Sequence, residues 1–111
     1  MDAELDAIFA ALADPTRRAM VAQLAKGEAT VNELAAPHAM SLPSASRHVK
    51  VLEAAGLVSK RRTAQFRPCR LEPEQLRRAD EWMAPYRDFF EPRLDRLEKH
   101  LRTRMAEKEG N

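Results

Sequence analysis

The change of pattern at Gly56 constrains this chain more than any other feature. Before it, the residues from Ser41 onward repeat as a helix does. Ser41 stands as an N-cap, Pro43 falls in the first turn, where its missing N–H costs nothing, and Val49, Val51 and Leu52 are set to face inward. After it, Leu57-Val58-Ser59-Lys60-Arg61-Arg62 and Gln65-Phe66-Arg67-Pro68-Cys69-Arg70-Leu71 read as two strands about Thr63-Ala64. A glycine-terminated helix that runs straight into a two-stranded ribbon is compatible with few architectures. Pro68 confines its strand to an edge, which a two-stranded hairpin has in any case.

The segments in front of this helix are short and well punctuated. Leu5, Ile8, Phe9 and Leu12 recur at three- and four-residue intervals, predicting a helix over residues 3–12. Asp14-Pro15 predicts a second helix start, Met20, Val21 and Leu24 follow, and Gly27 stops it. Thr30 caps a third helix carrying Val31, Leu34 and Ala35, with Glu33 placed for a capping box, and Pro37 with His38-Ala39-Met40 ends it. Beyond the ribbon, residues 73 to about 104 are again helical, with Pro85 breaking the helix and Pro92 adding a second bend. The expected organisation is one domain over residues 1–106 and a frayed tail over 107–111.

Several function classes fall away on composition. Cys69 is the single cysteine of the 111 residues, so neither an intramolecular disulfide nor a Cys-based metal cluster can form, and a reducing, cytoplasmic setting is expected. The acidic start Met1 to Asp6 lacks a signal peptide's basic and apolar regions, and no run approaches the roughly 20 apolar residues of a membrane span, so no membrane partner is expected. Paired carboxylates, a Gly-rich phosphate loop and a nucleophile motif are all missing, which argues against an enzyme and against a bound cofactor.

Charge is distributed more tellingly than its total of +2. Between Ser41 and Arg70 seven basic residues, Arg47, Lys50, Lys60, Arg61, Arg62, Arg67 and Arg70, face the single acid Glu53, so this segment carries +6 and the remainder is acidic. A basic segment in an otherwise acidic chain is what docking on phosphates requires.

These features together predict a mainly α fold with a small β-hairpin, a winged helix-turn-helix, whose second helix enters the major groove of double-stranded DNA. Within that helix Ala45, Val49 and Leu52 share one face, and Ser44, Arg47 and His48 are expected on the other, with Ser46 beside them and Lys50 on the flank. Hydroxyls can donate or accept to base edges, arginine binds guanine in a bidentate manner, and histidine can reach a base or a phosphate. Ser41 reads first as a cap and second as a base contact. Leu42 shapes the helix entrance, with a thymine methyl as its alternative partner. In the hairpin, alternate residues face opposite sides, so Arg61, Arg62 and Gln65 are candidates whose direction depends on register.

Leu12-Ala13-Asp14-Pro15-Thr16-Arg17-Arg18, followed by Ser41-Leu42-Pro43-Ser44-Ala45-Ser46-Arg47-His48-Val49-Lys50-Val51-Leu52-Glu53-Ala54-Ala55-Gly56-Leu57-Val58, closely resembles the ArsR/SmtB family of bacterial winged-helix repressors. The resemblance spans about residues 5 to 100. It implies a homodimer joined through its outer helices, DNA reading by the helix after Ser41, and repression as the usual activity. The chain departs from the family's metal sensors. Val31 to His38 contains no thiol, and His100 stands without the further ligands a transition metal needs, so no metal site is expected and the resemblance is to a metal-independent branch.

A dimer follows from the residues independently. One short domain cannot easily cover Trp82, Tyr86, Phe89, Phe90, Leu94, Leu97 and Leu101, and a second subunit is the natural cover, with Leu5, Ile8 and Phe9 of the first helix joining the same face. The alternative is that the last helix folds back onto Ile8 and Phe9. An apolar effector near Trp82 and Tyr86 competes with plain packing there. A competing function keeps the fold but not the DNA reading, as a protein-interaction module or antirepressor. The basic segment argues against it.

Overall fold

Aspartate, threonine and serine caps decide where the helices begin. A computed structural model describes residues 2–61, 67–90 and 92–109, and the side chains of all of these except 92–95, 108 and 109. Helix α1 (Ala3–Leu12) starts at Asp2, whose carboxylate accepts from the Leu5 N–H at 3.0 Å. Asp14 does the same for α2 (Pro15–Leu24), accepting from the Arg17 N–H at 3.0 Å with Pro15 in the first turn. At α3 (Val31–Ala35) both halves of the capping box form. Thr30 N–H donates to the Glu33 carboxylate at 3.0 Å, and Glu33 N–H donates to the Thr30 hydroxyl at 3.2 Å. The Thr30 backbone N–H, and after it the Thr30 side chain, hold the Glu33 carboxyl below its ordinary pKa.

A 3-10 turn, Ala36–His38, follows α3, and Ala39 closes it in a left-handed conformation (φ 50°) before the chain enters α4 (Leu42–Ala54). Ser41 is the α4 N-cap, accepting from the Ser44 N–H at 3.3 Å. The C-terminal end is a Schellman motif: Gly56 N–H donates to the Glu53 carbonyl at 2.9 Å and Leu57 N–H to the Leu52 carbonyl at 3.0 Å. Gly56 adopts φ +75°, which only a residue without Cβ takes at little cost.

The hairpin is shorter than predicted. Strands β1 (Val58–Lys60) and β2 (Cys69–Leu71) pair antiparallel, Val58 with Leu71, Ser59 with Arg70 and Lys60 with Cys69, and Arg61 N–H extends the ladder to the Pro68 carbonyl at 3.0 Å. The predicted turn and strand ends at residues 62–66 lie outside the described residues. Strand β2 is an edge of this two-stranded sheet, as expected, with one isolated bridge beyond it. Ala29 pairs with Cys69 on the strand's other side through two backbone bonds of 3.1 and 2.7 Å, so β2 has a partner on both sides there, and Pro68 lies just outside that pair.

Helix α4 lies against α1, α2, α3 and β1, and is the element the rest packs around. Ile8, Met20, Leu34, Val49, Leu52, Leu57 and Cys69 are fully buried at its sides. Val51, expected to face inward, is exposed, because it lies two residues from Val49 and a helix turns that position most of the way to the opposite face. From α5 (Pro73–Met83), Leu76 and Ala79 join this core, and Arg78 pairs with both Asp2 and Glu4 at the start of α1.

The chain divides into two compact units, Met1–Asp80 and Glu81–Asn111. In the second, the break expected at Pro85 is a 3-10 turn, Ala84–Tyr86, leading into the short α6 (Arg87–Phe90), and Pro92 opens α7 (Pro92–Glu109). The Trp82 and Tyr86 rings lie 5.2 Å apart and tilted by 42°. Helix α7 continues three residues into the segment expected to fray, carried by the good helix formers Met105, Ala106 and Glu107. Among the described residues no helix is long and apolar enough to cross a membrane.

Candidate nucleic-acid interface

The face of α4 that leaves the core begins at its cap. Ser41 is exposed but engaged, since its hydroxyl donates to the Ser44 hydroxyl at 3.1 Å while accepting from the Ser44 N–H. Ser44 then has its own O–H to donate outward. Leu42 is half exposed at the first helical position, Ser44 and Ser46 are partly exposed, and Arg47 and Lys50 are exposed. Ala45, Val49 and Leu52 are fully buried on the opposite side. A helix seated by three buried residues and presenting hydroxyls, a guanidinium and an ammonium has the chemistry of a groove reader.

His48 stands elsewhere than expected. It is three residues after Ala45 and four before Leu52, so helical spacing sets it beside the core face, and its side chain is only 25% exposed. Its Nδ1 lies 3.3 Å from Arg17 Nη1 and 3.9 Å from an Asp14 carboxylate oxygen. The Asp14 carboxyl is held below its ordinary pKa, first by the Arg17 backbone N–H and then by the Arg17 charge, against a smaller opposing effect of desolvation than the backbone bond.

The wing arm carries part of the basic charge already paired. Lys60 Nζ lies 3.5 Å from the Glu53 carboxylate, and Arg61, exposed at the end of β1, lies 3.1 Å from the Glu28 carboxylate. Arg62 and Gln65 lie outside the described residues. Arg67 and Arg70 are exposed. Cys69 is buried beneath the hairpin, and burial pushes its thiol pKa up, which keeps it protonated and unreactive.

The residues assigned to a dimer face divide. Phe9 is partly exposed and Leu5 packs against the core, whereas Ile8 is fully buried in the first unit's own core and has no surface to offer a partner. Sequence spacing places Ile8 on an apolar stripe but cannot tell its two possible covers apart. In the second unit Trp82, Tyr86, Phe89, Phe90, Leu97 and Leu101 are all exposed, Phe89 by 83%, and Met105 joins them. The Leu94 side chain lies outside the described residues.

Sequence reasoning missed Arg17 and Glu28. Arg17 follows the Asp14 cap by three residues, where a long side chain can reach back to the preceding helix end; that spacing was the available signal. Nothing in the sequence pairs Glu28 with Arg61, 33 residues away.

A short helix, a tight turn, a second helix with a polar outer face and a basic hairpin behind it define a winged helix-turn-helix protein. Residues 12–61 match a family described as a helix-turn-helix domain. The chain is 45% identical over 71 residues to the HTH-type transcriptional regulator Rv2034 of Mycobacterium tuberculosis, covering 64% of this chain and 66% of that protein. It is 34% identical to the transcriptional repressor SdpR of Bacillus subtilis, covering 68% and 84%. Among solved structures it is similar to an ArsR family transcriptional regulator at 41% identity and a TM-score of 0.70, covering 81% and 93%. It is also similar to a homodimeric winged helix-turn-helix DNA-binding domain from Mycobacterium bovis at 26% identity and a TM-score of 0.63, covering 79% and 82%. The chain belongs to the ArsR family of winged helix-turn-helix transcriptional regulators, and it is not an enzyme.

Proposed function

We propose that this regulator is a homodimeric repressor, acting in the cytoplasm, that reads an inverted-repeat operator by inserting α4 of each subunit into successive major grooves. The observation that carries the reading is the division of α4 into a fully buried face, Ala45, Val49 and Leu52, and an outer face bearing Ser44, Ser46, Arg47 and Lys50. Repression is supported by the name of the Bacillus subtilis relative, and dimerisation by the homodimeric Mycobacterium bovis structure and by the exposed apolar residues of the second unit. With two reading helices about 34 Å apart, the half-sites repeat once per helical turn.

Residues 1–106 act in this reading as one functional domain. Arg47 supplies the strongest base contact, Ser44 and Ser46 add hydroxyls, Leu42 seals the helix entrance, and Lys50 and the wing cations grip phosphates. The affinity then falls steeply with salt. Control comes from a small-molecule or protein effector.

Selection of bound duplexes from a random pool by the intact protein, followed by binding measurements across salt concentrations, tests the proposal. An inverted repeat is expected, and Arg47→Ala is expected to weaken binding by about 1–3 kcal/mol and relax one position of the site without changing the melting temperature. Recovery of no duplex by folded dimer at low salt would overturn it. Repeating the selection with cell extract reveals the effector as a loss of binding.

A further inference from the structure

We infer that Arg17 is a positioning residue for DNA reading: its guanidinium holds His48 with the ring proton on Nε2, so that α4 offers an N–H donor there to an acceptor on the duplex. The inference rests on the reading of α4 as the groove helix.

Arg17 joins three helices. Its Nε donates to the Ala11 carbonyl at 2.7 Å and its Nη2 to the Ala10 carbonyl at 3.2 Å, both at the C-terminal end of α1, where Ala10 also accepts from the Ala13 cap N–H. Its backbone N–H donates to the Asp14 cap of α2. The third arm, Nη1, lies 3.3 Å from His48 Nδ1 on α4. Two arms are fixed on backbone atoms, so the position of the third is set by the α1–α2 junction and not by the histidine.

The chemistry then chooses the tautomer. A guanidinium has donors only, so its contact with Nδ1 is a hydrogen bond only when Nδ1 is bare and accepting. The competing arrangement, Nδ1–H donating to Asp14, is not formed, because that oxygen is 3.9 Å away. A neutral ring with bare Nδ1 carries its proton on Nε2. Among the described residues no polar side-chain atom is buried without a hydrogen-bond partner, and none of them is bonded to Nε2, so this N–H is open to solvent. It stands one turn beyond Ser44 and next to Arg47, and its partner is an oxygen or nitrogen acceptor, on a base edge or a phosphate.

Nitrogen-15 NMR of histidine-labelled protein at pH 8 reads the tautomer without DNA. The expected wild-type signature is a bare Nδ1 and a protonated Nε2 at His48, replaced by a mixture in Arg17→Ala. Because Arg17→Ala also unties the end of α1, a second pair of variants leaves that junction intact. The amide of His48→Gln reaches the place of Nε2, and that of His48→Asn only the place of Nδ1. On a duplex enriched by the wild-type protein, His48→Gln is expected to bind within about threefold of wild type and His48→Asn about tenfold more weakly. A loss confined to the enriched duplex assigns the acceptor to a base edge; an equal loss on a shuffled duplex assigns it to a phosphate. Equal or reversed affinities of the two variants, or a protonated Nδ1 in the wild type, overturn the inference. A wild-type protein that enriches no duplex overturns the groove reading itself, whatever the tautomer.

Discussion

The Arg61 guanidinium lies 3.1 Å from the Glu28 carboxylate, so the wing cation that follows β1 is held by an acid from the loop before β-bridge residue Ala29. The Arg61 side chain is 57% exposed and that of Glu28 36%, and a pair so open to water adds little to stability. If Arg61 grips a phosphate as proposed, the pair's effect falls on binding, because that phosphate has to displace Glu28. Glu28→Gln is expected to tighten DNA binding at low salt by about two- to fivefold, and Arg61→Gln to weaken it with a salt slope shallower by about one. Fluorescence anisotropy across salt concentrations checks both; unchanged slopes would show that Arg61 stays away from the duplex.

Leu52→Ala removes a fully buried side chain from the helix around which the first unit packs. The expected loss is about 2–5 kcal/mol, measured by urea unfolding. Val51→Ala, on the exposed side of the same helix, serves as the control and is expected to cost under about 1 kcal/mol.

Gly56→Ala combines two penalties. The backbone is left-handed at φ +75°, and a Cβ there would meet Gln75 Nε2 at 2.9 Å and its Cγ at 3.0 Å. A destabilisation of about 1–2 kcal/mol is expected. Adding Gln75→Ala should recover the steric part and leave the backbone part. Full recovery in the double variant would show that the left-handed turn itself costs nothing.

Acid should loosen the α2 cap. The Asp14 carboxyl is held below the ordinary aspartate pKa by the Arg17 backbone N–H first, and by the Arg17 charge after it. A lowered folded-state pKa means that the cap's stabilisation is complete above the ordinary aspartate value and is lost as pH falls below it through the folded value. Thermal melts of wild type and Asp14→Asn should therefore differ most near neutral pH and converge as pH falls below the ordinary aspartate range. A difference that stays constant throughout that acid range would show that ionisation of Asp14 does not matter.

Phe89 has the most exposed of the large apolar side chains in the second unit, and a charge there should disrupt any interface built on that face. Phe89→Asp is expected to shift the protein from dimer to monomer in sedimentation equilibrium while leaving the helical circular dichroism of the first unit unchanged. A dimer of wild-type strength in this variant would move the interface elsewhere.

Local chemistry made much of the chain legible. Asp14-Pro15, Thr30 with Glu33, Ser41 and Gly56 mark helix ends because caps act over three or four residues, and the structure realises each of them. Ala45, Val49 and Leu52 were readable as a buried face for the same reason of short range. His48 belonged with them by spacing, but its polarity made an outward position plausible until the structure put it against Arg17.

What remained hidden depends on contacts between distant segments. The Ala29–Cys69 pair that gives β2 a second partner, the Glu28–Arg61 pair, the Arg17 bridge from α1 to α4 and the burial of Ile8 each join residues that no periodicity relates. Caps and helical faces were determined by the sequence alone, since their energies arise within one turn of chain. Which cation is already neutralised, and which histidine nitrogen is left to donate, was decided by the tertiary structure, because only packing sets the few ångströms on which charge pairing and hydrogen bonding depend.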